Sequence, residues 1–206
     1  MKKLLVATSN PGKFAEIRRL LSDLPLKVVS LKDLGIKEKV EEDKKTFKEN
    51  AIKKAQFYAK RSLLPTIADD GGLEIDFLKG APGVRSRRWI DGKDSSDEEL
   101  IRYALKKLKG VPVEKRGVRL RAVLALAFPD GQVFTSEGKI RGVIAEKASK
   151  YRFPGYPFRS LLFIPEIKKF YNEKELSWKE EEKYNHRRKA LKKIKKIIRE
   201  KILNQS

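Results

Sequence analysis

The feature that most restricts the fold is a strand-then-helix order that repeats over residues 3–70. Residues 3–9 carry the apolar run Leu4-Leu5-Val6-Ala7 and read as a β-strand that meets Asn10-Pro11. Asn is a good helix N-cap and Pro suits the first helical position, so a helix starts there. Phe14, Ile17, Leu20, Leu21 and Leu24 recur at helical spacing and form its apolar face. Residues 26–31 read as a second strand, followed by the acidic loop Glu41-Glu42-Asp43. Thr46-Phe47-Lys48-Glu49 then matches a capping box and opens a helix with Phe47, Ala51, Ile52, Ala55 and Ala59 inward. Residues 63–70 close the series as a buried strand that runs into Asp69-Asp70-Gly71-Gly72, where the glycines favour a sharp turn. This order predicts an α/β protein with an at least partly parallel sheet.

The second half is less regular. Gly80-Ala81-Pro82-Gly83-Val84 reads as a rigid turn, and Ser96 caps a helix that ends near Gly110. Residues 118–128 alternate apolar side chains and form a long hairpin with 132–144 around Pro129-Asp130-Gly131. Residues 179–203 read as one basic helix with Leu191, Ile194, Ile197, Ile198 and Ile202 inward. No linker divides the chain, so residues 1–206 are expected to form a single domain.

Composition narrows the functional classes. With 40% hydrophobic residues and ten Phe, the chain can bury a core despite 37% charged residues. No apolar run approaches the about 18 residues of a membrane span. The absence of cysteine excludes disulfides and thiolate metal sites, which suits a cytoplasmic location. A net charge of +21 would attract polyanions. The lysines are spread over nearly every predicted helix, however, so most of this charge reads as solvated surface.

Three stretches could carry chemistry. Thr8-Ser9-Asn10-Pro11-Gly12-Lys13 joins a strand to a helix N-terminus, whose free N–H groups favour anions, and Lys13 adds a full charge. The spacing is not that of a Walker P-loop. An ordinary capped helix with an exposed lysine is the alternative. The acids Glu41, Glu42, Asp43, Asp69, Asp70 and Glu74 form the second set. Carboxylates at a buried strand end need partners or a cation. Mg2+ commonly takes one or two of them plus substrate phosphates. Solvated acids in turns would explain the same residues. The third stretch is Asn185-His186-Arg187-Arg188, with the chain's one histidine, where a His-Arg pair could grip a base or phosphate.

Taken together and in order, these stretches resemble the inosine triphosphatase-like family of noncanonical purine nucleoside triphosphate pyrophosphatases. Thr8 to Lys13 resembles the family's T-x-N-x-x-K. Thr46-Phe47, Glu49-Asn50-Ala51 and Lys53-Lys54-Ala55 resemble TF-x-ENA-x-KA. Ala68-Asp69-Asp70-Gly71-Gly72-Leu73 resembles A-D-D-S-G-L, and Gly80 to Val84 with Ser86 resembles G-A-P-G-V-x-S. The resemblance implies an elongated mixed β-sheet flanked by helices, in two lobes around a central substrate cleft, usually as a homodimer. It implies cleavage of ITP, dITP or XTP to the monophosphate and pyrophosphate. Carried over by position, Thr8, Ser9, Asn10, Pro11, Gly12 and Lys13 would hold the triphosphate. Glu42 and Asp70 would bind Mg2+, with Asp70 also the proton acceptor and Asp69 a supporting position or second metal ligand.

The later motifs depart from the family pattern. Phe153-Pro154-Gly155-Tyr156-Pro157-Phe158 keeps Gly155 and Tyr156 of G-F-G-Y-D-P but has Pro157 in place of the acid. Gly71 stands where the family has serine, and Glu181 stands where it has a substrate-gripping lysine, for which Lys179 or Lys183 could substitute. S-H-R reads Asn185-His186-Arg187. Gly71, Gly155, Tyr156, His186 and Arg187 are the remaining expected substrate contacts. Two other readings are a nucleotide-binding protein without turnover and a basic nucleic-acid-binding protein. The chain has no signature of the common nucleic-acid-binding modules.

Overall fold

The computed structural model describes residues 1–204. Its first half contains strand β1 (Lys2–Val6), helix α1 (Pro11–Leu20), strand β2 (Leu26–Ser30), helix α2 (Phe47–Ser62), strand β3 (Thr66–Ile75) and helix α3 (Asp97–Lys107). Strands β4 (Gly117–Ala127), β5 (Val133–Ile144), β6 (Leu162–Ile164) and β7 (Lys169–Phe170) follow, then helices α4 (Trp178–Tyr184) and α5 (His186–Ile198). The strands form one mixed sheet in the order β2-β1-β3-β4-β5-β6-β7, flanked by helices. The chain clusters into two compact units: residues 1–70, 122–138 and from Arg187 onward in the first, 71–121 and 139–186 in the second.

In the first unit β1 runs parallel to both β2 and β3, with Leu4 beside Val28 and Val6 beside Ile67. Parallel neighbours need long crossovers, which α1 and α2 provide. Leu4, Val6 and Ile67 pack with Ile17 and Leu21 of α1 and with Leu191, Ile194 and Ile198 of α5. The apolar stripe read in the C-terminal helix is therefore core, at about 1.5–3 kcal/mol for each large side chain buried. That helix is not continuous. Asn185 is extended, with φ −62° and ψ 107°, and separates α4 from α5. Its buried amide bonds Glu181 at 3.2 Å, the kind of local side-chain bond by which Asn competes with a helix. A π-helical turn over Arg199–Leu203 follows α5.

In the second unit β5, β6 and β7 are antiparallel, with Val143 beside Phe163 and Phe163 beside Phe170. The strands β6 and β7, of three and two residues, are too short to show a period in the sequence. Helix α3 begins with the capping box formed by Ser96 and Glu99. It buries Leu100, Ile101 and Ala104 in a core with Leu73, Ile75, Val118 and Ile140.

The strand expected over 63–70 is displaced. Leu63 is the left-handed cap of α2, φ 55°, and β3 starts at Thr66 and continues through both glycines to Ile75. Gly71 and Gly72 are strand residues rather than a turn. A Cβ on Gly72 would lie 2.1 Å from Ser86 Oγ and 2.7 Å from the Gly83 carbonyl oxygen. The glycine lets Ser86 approach so closely that its hydroxyl accepts from Leu73 N–H at 2.9 Å and donates to the Gly83 carbonyl at 2.6 Å. Gly72→Ala is expected to lower stability by about 1–3 kcal/mol through this overpacking, read as a lower urea midpoint at unchanged m-value.

Candidate active site

The first unit gathers its chemistry just after β1 and in the middle of β3. After β1 the Thr8 hydroxyl accepts from Asn10 N–H at 3.2 Å, and Asn10 Oδ1 accepts from Lys13 N–H at 3.1 Å. These bonds fix the turn and cap α1, with Pro11 in its first turn. Ser9 and Pro11 are exposed, while Thr8, Asn10, Gly12 and Lys13 are half-buried. Lys13 Nζ lies 3.1 Å from Asp69 Oδ2.

Asp69 and Asp70 are consecutive in β3 yet face opposite electrostatic environments. Asp69 is fully buried. Its Oδ2 receives Lys13 and, at 3.2 Å each, Nε and Nη2 of Arg187. Arg187 Nη1 in turn bonds Glu16 Oε2 at 2.8 Å, and both of these side chains are buried. Burial pushes the Asp69 carboxyl up, but Lys13, Arg187 and Lys54 outweigh it and hold the group well below the usual carboxylate range.

Asp70 is pushed up to about 6, first by burial and then by the Glu42 carboxylate, against the opposing pull of Lys54, Lys13 and an Asn50 hydrogen bond. Asn50 Nδ2 donates to Asp70 Oδ2 at 3.0 Å while Asn50 Oδ1 accepts from Lys44 N–H at 2.9 Å. Lys54 forms an ion pair with Glu42. Burial works against its charge, but Glu42, Asp69 and Asp70 keep its pKa raised. Adjacent carboxyls driven apart in this way can divide acid–base labour: one stays ionised, the other exchanges a proton near neutrality.

The arrangement suits a small hard cation. Asp69 Oδ1 is buried and has no hydrogen-bond partner among the described residues. The Glu42 carboxylate is close enough to disfavour the charge of Asp70. No group of three or more His, Cys, Asp or Glu is placed to hold a metal among the described residues. That donor set fits Mg2+, which usually completes its shell with water and substrate oxygens. Asp43 is instead engaged by Lys53 at 2.7 Å, Glu41 is exposed, and Glu74 pairs with Arg121 and Arg119 at 2.8 and 3.2 Å within the second unit.

The other expected contacts lie in the second unit. Gly71 is in β3. Gly155, φ 80°, donates its N–H to Asp97 Oδ2 at 2.6 Å. Tyr156 is half-buried beneath the Arg159 guanidinium. His186 is buried, its Nδ1 2.8 Å from the Tyr171 hydroxyl. Lys183 is engaged by Glu166 at 2.7 Å. Arg187, in the first unit, instead pairs with the carboxylates of Asp69 and Glu16.

Sequence reading missed Glu16, Asn50, Lys54, Arg159 and Tyr171. Asn50 and Lys54 were within reach, since i and i+4 on a helix share a face and both lie in a recognised motif. Nothing local marks the others. A cavity of about 370 Å³ lined by Phe77, Trp89 and Tyr103 contains none of the expected residues.

Fold and side-chain cluster define the class: an α/β protein with a buried carboxylate pair in mid-strand beside a lysine-bearing helix start. The chain belongs to the Ham1 family, whose model matches residues 4–197. It is 39% identical over 199 residues to the dITP/XTP pyrophosphatase of Bacillus subtilis (strain 168), covering 96% of this chain and 98% of that protein. The dITP/XTP pyrophosphatase of Geobacter sulfurreducens is 42% identical over 166 residues, 81% of this chain and 82% of that one. Among solved structures, a HAM1 protein from Coxiella burnetii superposes with a TM-score of 0.81 at 32% identity, over 97% of this chain and 100% of that one.

Two outcomes test the electrostatics. Asp70 has a folded pKa above its unfolded value, so its ionisation opposes folding above about pH 6 and has no effect below about pH 4. Asp70→Asn is therefore expected to stabilise the protein by up to about 2–3 kcal/mol at pH 8, and the gain should vanish towards pH 4 in urea titrations. Arg187→Met leaves Asp69 and Glu16 without their shared cation. It is expected to lose about 3 kcal/mol, part of which returns when Glu16→Gln is added.

Proposed function

We propose that this protein is a Mg2+-dependent pyrophosphatase for noncanonical purine nucleoside triphosphates. It would hydrolyse dITP, ITP or XTP to the monophosphate and pyrophosphate and so clean the nucleotide pool. The observation that carries the reading is the split pair: Asp69 held ionised by Lys13 and Arg187, Asp70 raised to about 6 beside it. The relatives named dITP/XTP pyrophosphatase support the substrate class.

In this reading the start of α1, with its free N–H groups, and Lys13 receive the phosphates. Lys13 already rests on a carboxylate oxygen, so a phosphate oxygen would replace one anion by another. Asp70, near neutrality, takes the proton of the attacking water, for which a base of this pKa is suited. Asn50 holds the Asp70 carboxylate through its Oδ2. Lys54 adds positive charge beside Glu42, where the phosphate negative charge has to be balanced. Glu42 and Asp70 would hold Mg2+, with Asp69 in a supporting position, and the ion when bound would neutralise phosphate charge and polarise the phosphoryl group. Gly155, Tyr156 and His186 remain substrate contacts on the strength of their motifs alone. Gly71 is the strand residue that follows the acids. The proposal includes a homodimer and a cytoplasmic place of work, where nucleoside triphosphates are found. No helix among the described residues is long and apolar enough to cross a membrane.

Pyrophosphate release from dITP, XTP, dGTP and ATP with and without Mg2+ tests the reading. The expected result is Mg2+-dependent release from dITP and XTP, with kcat reduced at least about 100-fold in Asp70→Asn. Folded protein that releases pyrophosphate from none of the four overturns it. Ligand-induced thermal stabilisation without product would point to a nucleotide-binding protein instead.

A further inference from the structure

The cavity of about 370 Å³ lies wholly within the second unit and contains none of the residues of the acidic cluster. Three aromatic side chains line it: Phe77 in the 3-10 turn Asp76–Leu78, Trp89 at the end of the 3-10 helix Gly83–Arg88, and Tyr103 in α3. Trp89 and Tyr103 meet edge to face at 5.2 Å, and Trp89 packs against the core of this unit, so this wall is fixed. Phe77 is 49% exposed, so the chain itself leaves half of it uncovered. Two cations complete the lining. Lys79 and Lys107 are exposed, and neither meets a carboxylate among the described residues. Lys107, one helical turn after Tyr103, holds its Nζ 5.2 Å from that ring's centroid. Lys79 has φ 53°, a left-handed conformation uncommon for any residue but glycine. No acidic side chain among the described residues lines the cavity.

We propose that this cavity binds a purine nucleoside monophosphate, held by its flat ring and its phosphate rather than by the identity of its base. The site is independent of the nucleotide-hydrolase reading above. Charge complementarity sets the sign of the ligand: two lysines with no acid beside them, on a chain of net charge +21, favour an anion. The aromatic lining sets its shape, because every nucleic-acid base has a π-face that stacks on such rings. The kind of cation sets the anion. Ammonium groups act as point charges that suit phosphate, whereas carboxylates are best matched by the planar fork of arginine, and no arginine lines the cavity. The volume sets the size: it falls near the lower end of the about 300–1,000 Å³ of small-molecule sites, room for one nucleotide rather than two. The lining side chains offer no carboxylate or amide to tell a 6-amino from a 6-carbonyl purine, and the Tyr103 hydroxyl can donate or accept. AMP and IMP are therefore expected to bind alike. On binding, the phosphate draws Lys107 from the Tyr103 ring and exchanges a cation–π contact for an ion pair.

Trp89 and Trp178 are the chain's two tryptophans, and Trp178 is exposed and outside the cavity. In Trp178→Phe, Trp89 is therefore the one indole reporter. AMP, IMP and adenosine are titrated against this variant without Mg2+, with N-acetyltryptophanamide correcting for absorbance. The expected result is a saturable change in Trp89 fluorescence with AMP and IMP, at dissociation constants of about 1 mM or below and within about threefold of each other. Adenosine, which lacks the phosphate, should bind at least about tenfold more weakly than AMP. Adding Lys79→Asn and Lys107→Gln should weaken AMP by a similar factor. Asn accepts the left-handed backbone and both positions are exposed, so thermal unfolding is expected to show a folded protein. Lys13→Met, which alters the cluster of the first unit, should leave the Trp89 response in place. No saturable response up to about 10 mM AMP overturns the proposal, and so does equal affinity for adenosine. A response lost in Lys13→Met but kept in the Lys79/Lys107 variant also overturns it, since the nucleotide then binds at the first unit's cluster. The other occupant is a second copy of this chain: a dimer in sedimentation that Phe77→Ser dissociates, with Trp89 silent to AMP, overturns the proposal in its favour. No turnover enters these titrations, so failure of the hydrolase reading is seen separately.

Discussion

The first unit is organised around one fully buried carboxylate, Asp69. A charge at that depth is tolerable only if cations meet it, and two do, from distant parts of the chain: Lys13 in the first turn of α1 and Arg187 in the first turn of α5. Arg187 is itself balanced by Glu16, one helical turn after Lys13. The four side chains are formally neutral as a set. The network therefore ties both ends of the unit to β3, and its register depends on the helix starts that place these residues. Buried ion pairs are weak evidence for stability, but removing one member strands the rest, which makes such a network a strong constraint on which fold the chain can adopt.

The same network explains why neighbouring aspartates behave differently. Lys13 and Arg187 converge on Asp69, while Asp70 on the opposite face of the strand meets Glu42, Asn50 and the burial of α2. Alternation of side chains along β3 is what separates them. The large positive charge of the chain is mostly irrelevant to this division. Lys13, Lys54 and Arg187 matter because they are buried next to acids, whereas most lysines lie on exposed faces.

Much of the first unit was legible in the sequence. The two capped helices, the inward stripe of α5, the helix-start loop and the acidic partners Glu42, Asp69 and Asp70 all carry local signals: a cap, a period, or two acids after an apolar run. The second unit was less so. Strands β6 and β7 are too short to show alternation, and Asn185 breaks a helix that periodicity alone would continue. Gly71 and Gly72 are the instructive case, because an Asp-Gly pair is a turn signal by composition. Here the strand passes through it, and the need for a glycine comes from Ser86, fourteen residues beyond Gly72.

By itself the sequence determined the α/β class, the family and the residue types of the buried charge cluster, because those follow from local propensity and ordered motifs. Only the tertiary structure decided how the charges are shared. That Asp69 is ionised and Asp70 poised near neutrality depends on burial and on partners from separate stretches of the chain, Arg187 lying 118 residues from Asp69. Likewise Arg159 is one of many arginines in the sequence, and only packing against Tyr156 and Tyr171 distinguishes it. Electrostatic roles are set by what surrounds a group, and that is a property of the folded chain.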